Sequence, residues 1–217
     1  KRSVTTEQMA FIKVMREIEN NACIFVITMT YDLEETRYGY RLYNKGTVIE
    51  SEQVIKQKNS LQDIRDILNT RLREYRKTYH IDAVSISLPG ILNDVKPGRI
   101  DYQKIGRQFR KEYGLPFFVC NNTNTVAYGY YAQQNKYNVV AYHSQPAGCL
   151  HAGQGINYNG HIIQGAHRMA GEVAPLFERF FPELHDHEQH GTPEETKEVV
   201  CAYLLANISL FDPDVIL

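Results

Sequence analysis

Apolar positions along the chain repeat with strand-like and helix-like periods in turn, and that alternation predicts layered strands and helices. Ala22 to Thr30 is an apolar run of strand length, and Tyr38 to Tyr43 with Thr47 to Glu50 reads as a hairpin around Asn44-Lys45-Gly46. Ser60 stands where a helix N-cap belongs, and Leu61, Ile64, Leu68, Leu72 and Tyr75 then share one stripe at helical spacing. A strand from Asp82 to Leu88 is stopped by Pro89-Gly90, and a short helical segment around Ile105 to Tyr113 leads to a strand from Pro116 to Cys120. Asn124 to Gln134 reads as a helix, followed by strands at Tyr137 to His143 and Ile156 to Tyr158 and a strong hairpin turn at Asn159-Gly160. Pro193 with Glu194 and Glu195 opens a helix through Val199, Tyr203, Leu204 and Ile208. The closing run Asp214-Val-Ile-Leu217 reads as a strand. Ahead of all these, Thr5 or Thr6 can cap a helix with Phe11, Met15 and Ile18 on one face, and Gln8 lies at capping-box spacing from Thr5. Strands alternating with helices define an α/β class, with no internal repeat or low-complexity tract evident.

Composition narrows the reading. A chain of 217 residues with 43% hydrophobic content can bury one or two cores. A formal charge of −1 gives no electrostatic reason for this segment to grip nucleic acid, and the basic residues of the helix after Ser60 are interleaved with acidic ones, as on a solvated face. Cys23, Cys120, Cys149 and Cys201 lack CxxC spacing, which argues against a disulfide framework and fits a reducing cytoplasm. The longest apolar runs are strand length, too short for a membrane span, and no signal peptide heads the chain. The sequons at Asn121-Asn-Thr123 and Asn207-Ile-Ser209 therefore read as chance matches. The start at Lys1 without Met and the short final strand read as a fragment of a longer protein.

The candidate chemistry gathers in two segments. Gly153-Gln-Gly-Ile-Asn-Tyr-Asn-Gly160 is followed by Gly165-Ala-His-Arg-Met-Ala-Gly-Glu172, where small residues permit tight turns and close backbone approach, and the run closes on one carboxylate. Upstream, Phe117-Phe-Val-Cys-Asn-Asn-Thr-Asn124 is an apolar strand that delivers amides to the end of a sheet. Each has a plainer alternative. Asn121 and Asn122 suit a turn that closes a strand, Glu172 suits a surface, and Glu194 suits the first turn of a helix, where it meets the helix dipole. His167 in the glycine run reads as an ordinary structural or surface histidine.

These segments, with Leu88-Pro-Gly90 after a strand and a terminal helix leading into Asp212-Pro213, resemble the ROK family from about residue 22 to the C-terminus. That family groups sugar kinases with sugar-responsive transcriptional repressors. The resemblance implies an α/β actin-like ATPase (ribonuclease H-like) fold with two lobes and a cleft between them. Residues 1–21 would form a connector helix, 22–120 the first lobe and 121–217 the second.

The resemblance also implies a sugar site. Asn121 keeps the amide that holds a sugar hydroxyl, Glu172 matches the Ala-Gly-Glu carboxylate, Gly90 lies in the Pro-Gly turn lining the pocket, and Glu194 matches a second sugar-binding glutamate. In family kinases an Asp follows the Asn and takes the proton of the attacking hydroxyl. Here that position is Asn122, and an amide cannot act as that base. The phosphate loops are also unrecognisable: Thr28-Met-Thr-Tyr-Asp-Leu33 has no Gly, and Cys149-Leu-His151 replaces a Gly-Thr-Gly type turn. The family's zinc loop aligns with His185-Asp-His-Glu-Gln-His-Gly-Thr-Pro-Glu194, and its zinc-bridging His with Pro175. His185, His187 and His190 are conceivable metal ligands, but a solvated His-rich loop is the preferred reading. No cofactor is expected, zinc included.

The expected function is therefore effector sensing by a ROK-type regulator: a small sugar effector, no membrane, a homodimer, and DNA contact only through a separate winged helix-turn-helix domain. A ROK sugar kinase, with Asp94 or Asp101 as substitute base, and an interaction scaffold that has lost ligand binding both stay open.

Overall fold

A computed structural model describes the protein over residues 21–31, 35–57, 59–90, 100–134, 136–145, 152–166, 170–173, 179–180 and 192–217. The helix expected around Thr5 to Ile18 lies outside the described residues. The chain divides into two compact units, Lys1–Thr125 and Val126–Leu217.

The first unit is built on a five-stranded sheet in the order β3-β2-β1-β4-β5. Its strands are β1 (Cys23–Tyr31), β2 (Thr36–Asn44), β3 (Thr47–Lys56), β4 (Ala83–Leu88) and β5 (Phe117–Asn121). β1, β2 and β3 pair antiparallel in chain order, while β4 and β5 join β1 in parallel. The apolar run of β1 suits its central place, because both faces are covered: Phe25, Ile27 and Met29 enter the main core, and Ile24 and Val26 enter a second cluster. β3 is an edge strand with a mostly exposed face, and the polar run Ser51 to Gln53 interrupts its hydrophobic signal before Val54 and Ile55.

Parallel neighbours require crossovers, and helices supply them. Helix α1 (Leu61–Ile67) starts at Ser60, whose Oγ accepts from Asp63 N at 3.0 Å. It passes through a π-helical segment (Leu68–Leu72) into a last turn, α2 (Arg73–Tyr75). All five residues of the expected stripe are buried. Helix α3 (Tyr102–Tyr113) connects β4 to β5 and ends at Gly114, in the left-handed conformation at φ 67°.

In the second unit β6 (Val139–Ser144), β7 (Gly153–Tyr158), β8 (His161–Ile162) and β9 (Val215–Ile216) form a sheet in the order β8-β7-β6-β9. β6 to β7 and β7 to β8 are antiparallel, and β6 to β9 is parallel. This repeats the order and senses of β3-β2-β1-β4. The Asn159-Gly160 turn has φ of 49° and 81°, both positive as a two-residue hairpin turn of this kind demands.

Helix α4 (Asn122–Gln134) begins in the last residues of the first unit and continues into the second, and helix α5 (Pro193–Phe211) leads to β9. Val199 and Tyr203 of α5 bury with Val173. Among the described residues no helix is long and apolar enough to cross a membrane.

Candidate functional site

Parallel strands β4 and β5 end side by side, with Leu88 opposite Asn121, at the carboxyl edge where open α/β sheets bind ligands. Beyond Leu88 the chain turns through buried Pro89 to Gly90, which is exposed and, among the described residues, has nothing within 4 Å of where a side chain would start.

Asn121 closes β5 and caps α4. Its Oδ1 accepts from Thr123 Oγ1 at 2.5 Å and from Asn124 N at 3.2 Å, which uses both lone pairs. Its Nδ2 donates to the Tyr102 hydroxyl at 3.0 Å, and that hydroxyl donates to Pro89 O at 3.3 Å. One Nδ2 hydrogen remains for a further acceptor. Asn122 opens α4 with its Oδ1 accepting from Thr123 N at 2.8 Å. The Asn124 Oδ1 is buried without a hydrogen-bond partner among the described residues. Tyr102 was not foreseen as part of this cluster, since an aromatic residue at a helix start carries no site signal of its own.

In the second unit the Ala170-Gly171-Glu172 turn lies against β7. Gly171 has φ 86°, and a Cβ there would stand 2.6 Å from Gln154 O, so both backbone conformation and space demand glycine. Glu172 is exposed, and the next residue, Val173, anchors the turn against Val199 and Tyr203 of α5. Glu194 is exposed in the first turn of that helix, after a capping box in which Thr192 N donates to Glu195 Oε2 at 2.7 Å and Thr192 Oγ1 accepts from Glu195 N at 3.3 Å. Glu172 thus precedes a residue packed on the middle of α5, while Glu194 stands in the first turn of that helix.

His143 packs behind the turn, its ring 5.6 Å from that of Tyr203. Gln154 Nε2 lies 3.3 Å from His143 Nδ1, and Gln145 Oε1 lies 3.1 Å from His143 Nε2. An amide nitrogen only donates and an amide oxygen only accepts, so this arrangement suits a neutral ring with its proton on Nε2. Burial pushes the His143 pKa below its ordinary value, and the Gln145 hydrogen bond offsets this in part.

Asp101, a weak substitute base on sequence grounds, accepts from Lys104 N at 2.9 Å as the cap of α3. Thr28, from the expected first phosphate loop, is buried with its Oγ1 donating to Gly39 O at 3.3 Å. Asp32, Leu33, Asp94, residues 149–151, His167, Pro175, His185, His187 and His190 lie outside the described residues. Among the described residues no group of three or more His, Cys, Asp or Glu side chains is placed to hold a metal ion.

These features define an α/β chain with the actin-like ATPase fold. The chain belongs to the ROK family, whose sequence profile matches residues 36–175. It is similar in structure to a ROK hexokinase from Thermus thermophilus, with 14% identity, a TM-score of 0.56, and coverage of 88% of this chain and 80% of that one. It is also similar to a ROK family protein from Streptococcus pneumoniae TIGR4 in complex with sucrose, with 15% identity, a TM-score of 0.53, and coverage of 89% and 78%. At these identities the likeness is one of fold. No curated protein sequence matches the chain.

Proposed function

We propose that this chain is the effector-sensing part of a ROK-type transcriptional regulator, binding a sugar or sugar derivative without phosphorylating it. The observation that carries this reading is the carboxamide of Asn122 at the junction of β5 and α4, the position at which family kinases carry their catalytic aspartate. An amide has no basic lone pair for the proton of an attacking hydroxyl. The glycine-free run Thr28 to Leu33 supports the same reading, because tightly turned backbone amides are what close on nucleotide phosphates.

Recognition needs less than catalysis does. Asn121 offers its remaining Nδ2 hydrogen to a sugar hydroxyl, while Glu172 and Glu194 are exposed acceptors for hydroxyl hydrogens. Gly90 contributes open space, and Asn122 a second carboxamide, at the same carboxyl edge of the sheet. DNA contact belongs, on this reading, to a separate winged helix-turn-helix domain, and the regulator works as a homodimer.

Calorimetry with a panel of monosaccharides and aminosugars, run beside ATP with magnesium, tests the reading. Saturable heat from a sugar and none from nucleotide is the expected result. Transfer of phosphate to any sugar would overturn it in favour of a kinase, and silence across the whole panel would overturn it in favour of a scaffold.

A further inference from the structure

A cavity of about 370 Å³ opens in the first unit between α3 and β5, within the roughly 300–1,000 Å³ typical of small-molecule sites. One stripe of α3 forms a wall, with Tyr102, Gln103, Arg107 and Arg110 at helical spacing, and β5 residues Phe117 to Cys120 form the other. Among the described residues β5 is the last strand of its sheet. Pro116 O accepts from Val84 N at 2.9 Å, so the alternation of a parallel ladder turns the backbone groups of Phe117 and Val119 away from β4.

Charge decides what such a cavity takes. No acidic side chain lines it, Arg107 and Arg110 are exposed, and among the described residues neither guanidinium has a hydrogen-bond or ion-pair partner. The acids nearest in sequence are engaged: Asp101 caps α3, and Glu112 pairs with Arg65 at 3.5 Å. One guanidinium fork satisfies a carboxylate. Two forks three residues apart on one helix face match a phosphate monoester, which carries a charge of about −1.5 to −2 and three strong acceptor oxygens.

We propose that this cavity binds a small phosphate monoester, its phosphate held between Arg107 and Arg110 and its organic part against Tyr102 and the open edge of β5. Asn121 does not line the cavity, although its partner Tyr102 does, and the phosphate reading is tested apart from the sugar reading at Arg107 and Arg110, which have no part in the sugar site.

The test uses the full chain at about 150 mM salt, where exposed nonspecific charge attraction is largely screened. Glycerol 3-phosphate, inorganic phosphate and glycerol are titrated by calorimetry and by amide chemical-shift mapping. Saturable binding of glycerol 3-phosphate is expected, with shifts at Gly106 and Val119, weaker binding of inorganic phosphate and none of glycerol. Arg107→Ala with Arg110→Ala is expected to weaken glycerol 3-phosphate binding by about tenfold or more without changing the melting temperature, since both side chains are exposed. Equal affinity in the double variant, or no saturable binding, overturns the site. Inorganic phosphate binding as tightly as the ester overturns the monoester assignment and leaves free phosphate as the ligand.

Discussion

Asn121 serves folding through its oxygen and is available for recognition through its nitrogen. Because Oδ1 holds Thr123 and Asn124 while Nδ2, among the described residues, reaches only Tyr102, the two roles can be separated by substitution. Asn121→Asp keeps acceptors for the cap and removes the amide hydrogens. It is expected to melt near the wild-type temperature and to lose the calorimetric sugar signal; a variant that still binds sugar would remove Asn121 from the site. At Gly171 the constraint is steric. Gly171→Ala sets a methyl 2.6 Å from Gln154 O in a backbone with φ 86°, and urea unfolding should show a loss of about 1–3 kcal/mol.

His143 makes stability depend on pH with a definite sign. Its folded pKa lies below the ordinary 6.5, so between the two values the unfolded chain holds more protons than the folded one, and stability rises with pH there. The contribution is full above pH 6.5 and is lost as pH falls through the folded value. Melting curves across this range should slope for the wild type and flatten for His143→Gln.

Helix and strand boundaries follow local chemistry where that chemistry is strong. The turn at Asn159-Gly160 and the start of α5 at Pro193 were legible because a paired positive φ and a fixed proline φ each have few alternatives. The capping box of α5 gives a direct test: Thr192→Ala removes the acceptor for Glu195 N and should cost about 0.5–2 kcal/mol in chemical denaturation. Other features were hidden for physical reasons. β3 runs to Lys56 rather than Glu50 because an edge strand needs no apolar face for its outer half. The π turn at Leu68–Leu72 leaves the burial stripe intact, so hydrophobic spacing alone does not separate it from an α turn. α3 begins at Tyr102 rather than near Ile105, because its cap is an aspartate inside a polar stretch.

At the scale of the whole molecule, four strands of the first sheet and the four of the second share one order and one set of senses although no repeat shows in the residues. Backbone pairing is indifferent to most side chains, so a topology can recur with little trace in sequence. Function is argued at this scale too. On the proposed reading, in which the phosphate loops are lost along with the base, restoring one group is not expected to restore chemistry, and Asn122→Asp should remain inactive in a coupled hexokinase assay. Measurable phosphorylation by that variant would mean that nucleotide binding survives.

Sequence alone determined the α/β class, the extent of most elements, the family resemblance and the paired amides Asn121-Asn122 at a strand end, because these rest on local periodicity, turn chemistry and residue identity. Tertiary structure decided that Tyr102 joins Asn121 to Pro89, that Gly171 is pressed onto Gln154, and that two arginines face an open strand edge. Each depends on residues distant in the chain being brought together, and the spacing of neighbours along a chain carries no record of which distant strand or helix packs beside them.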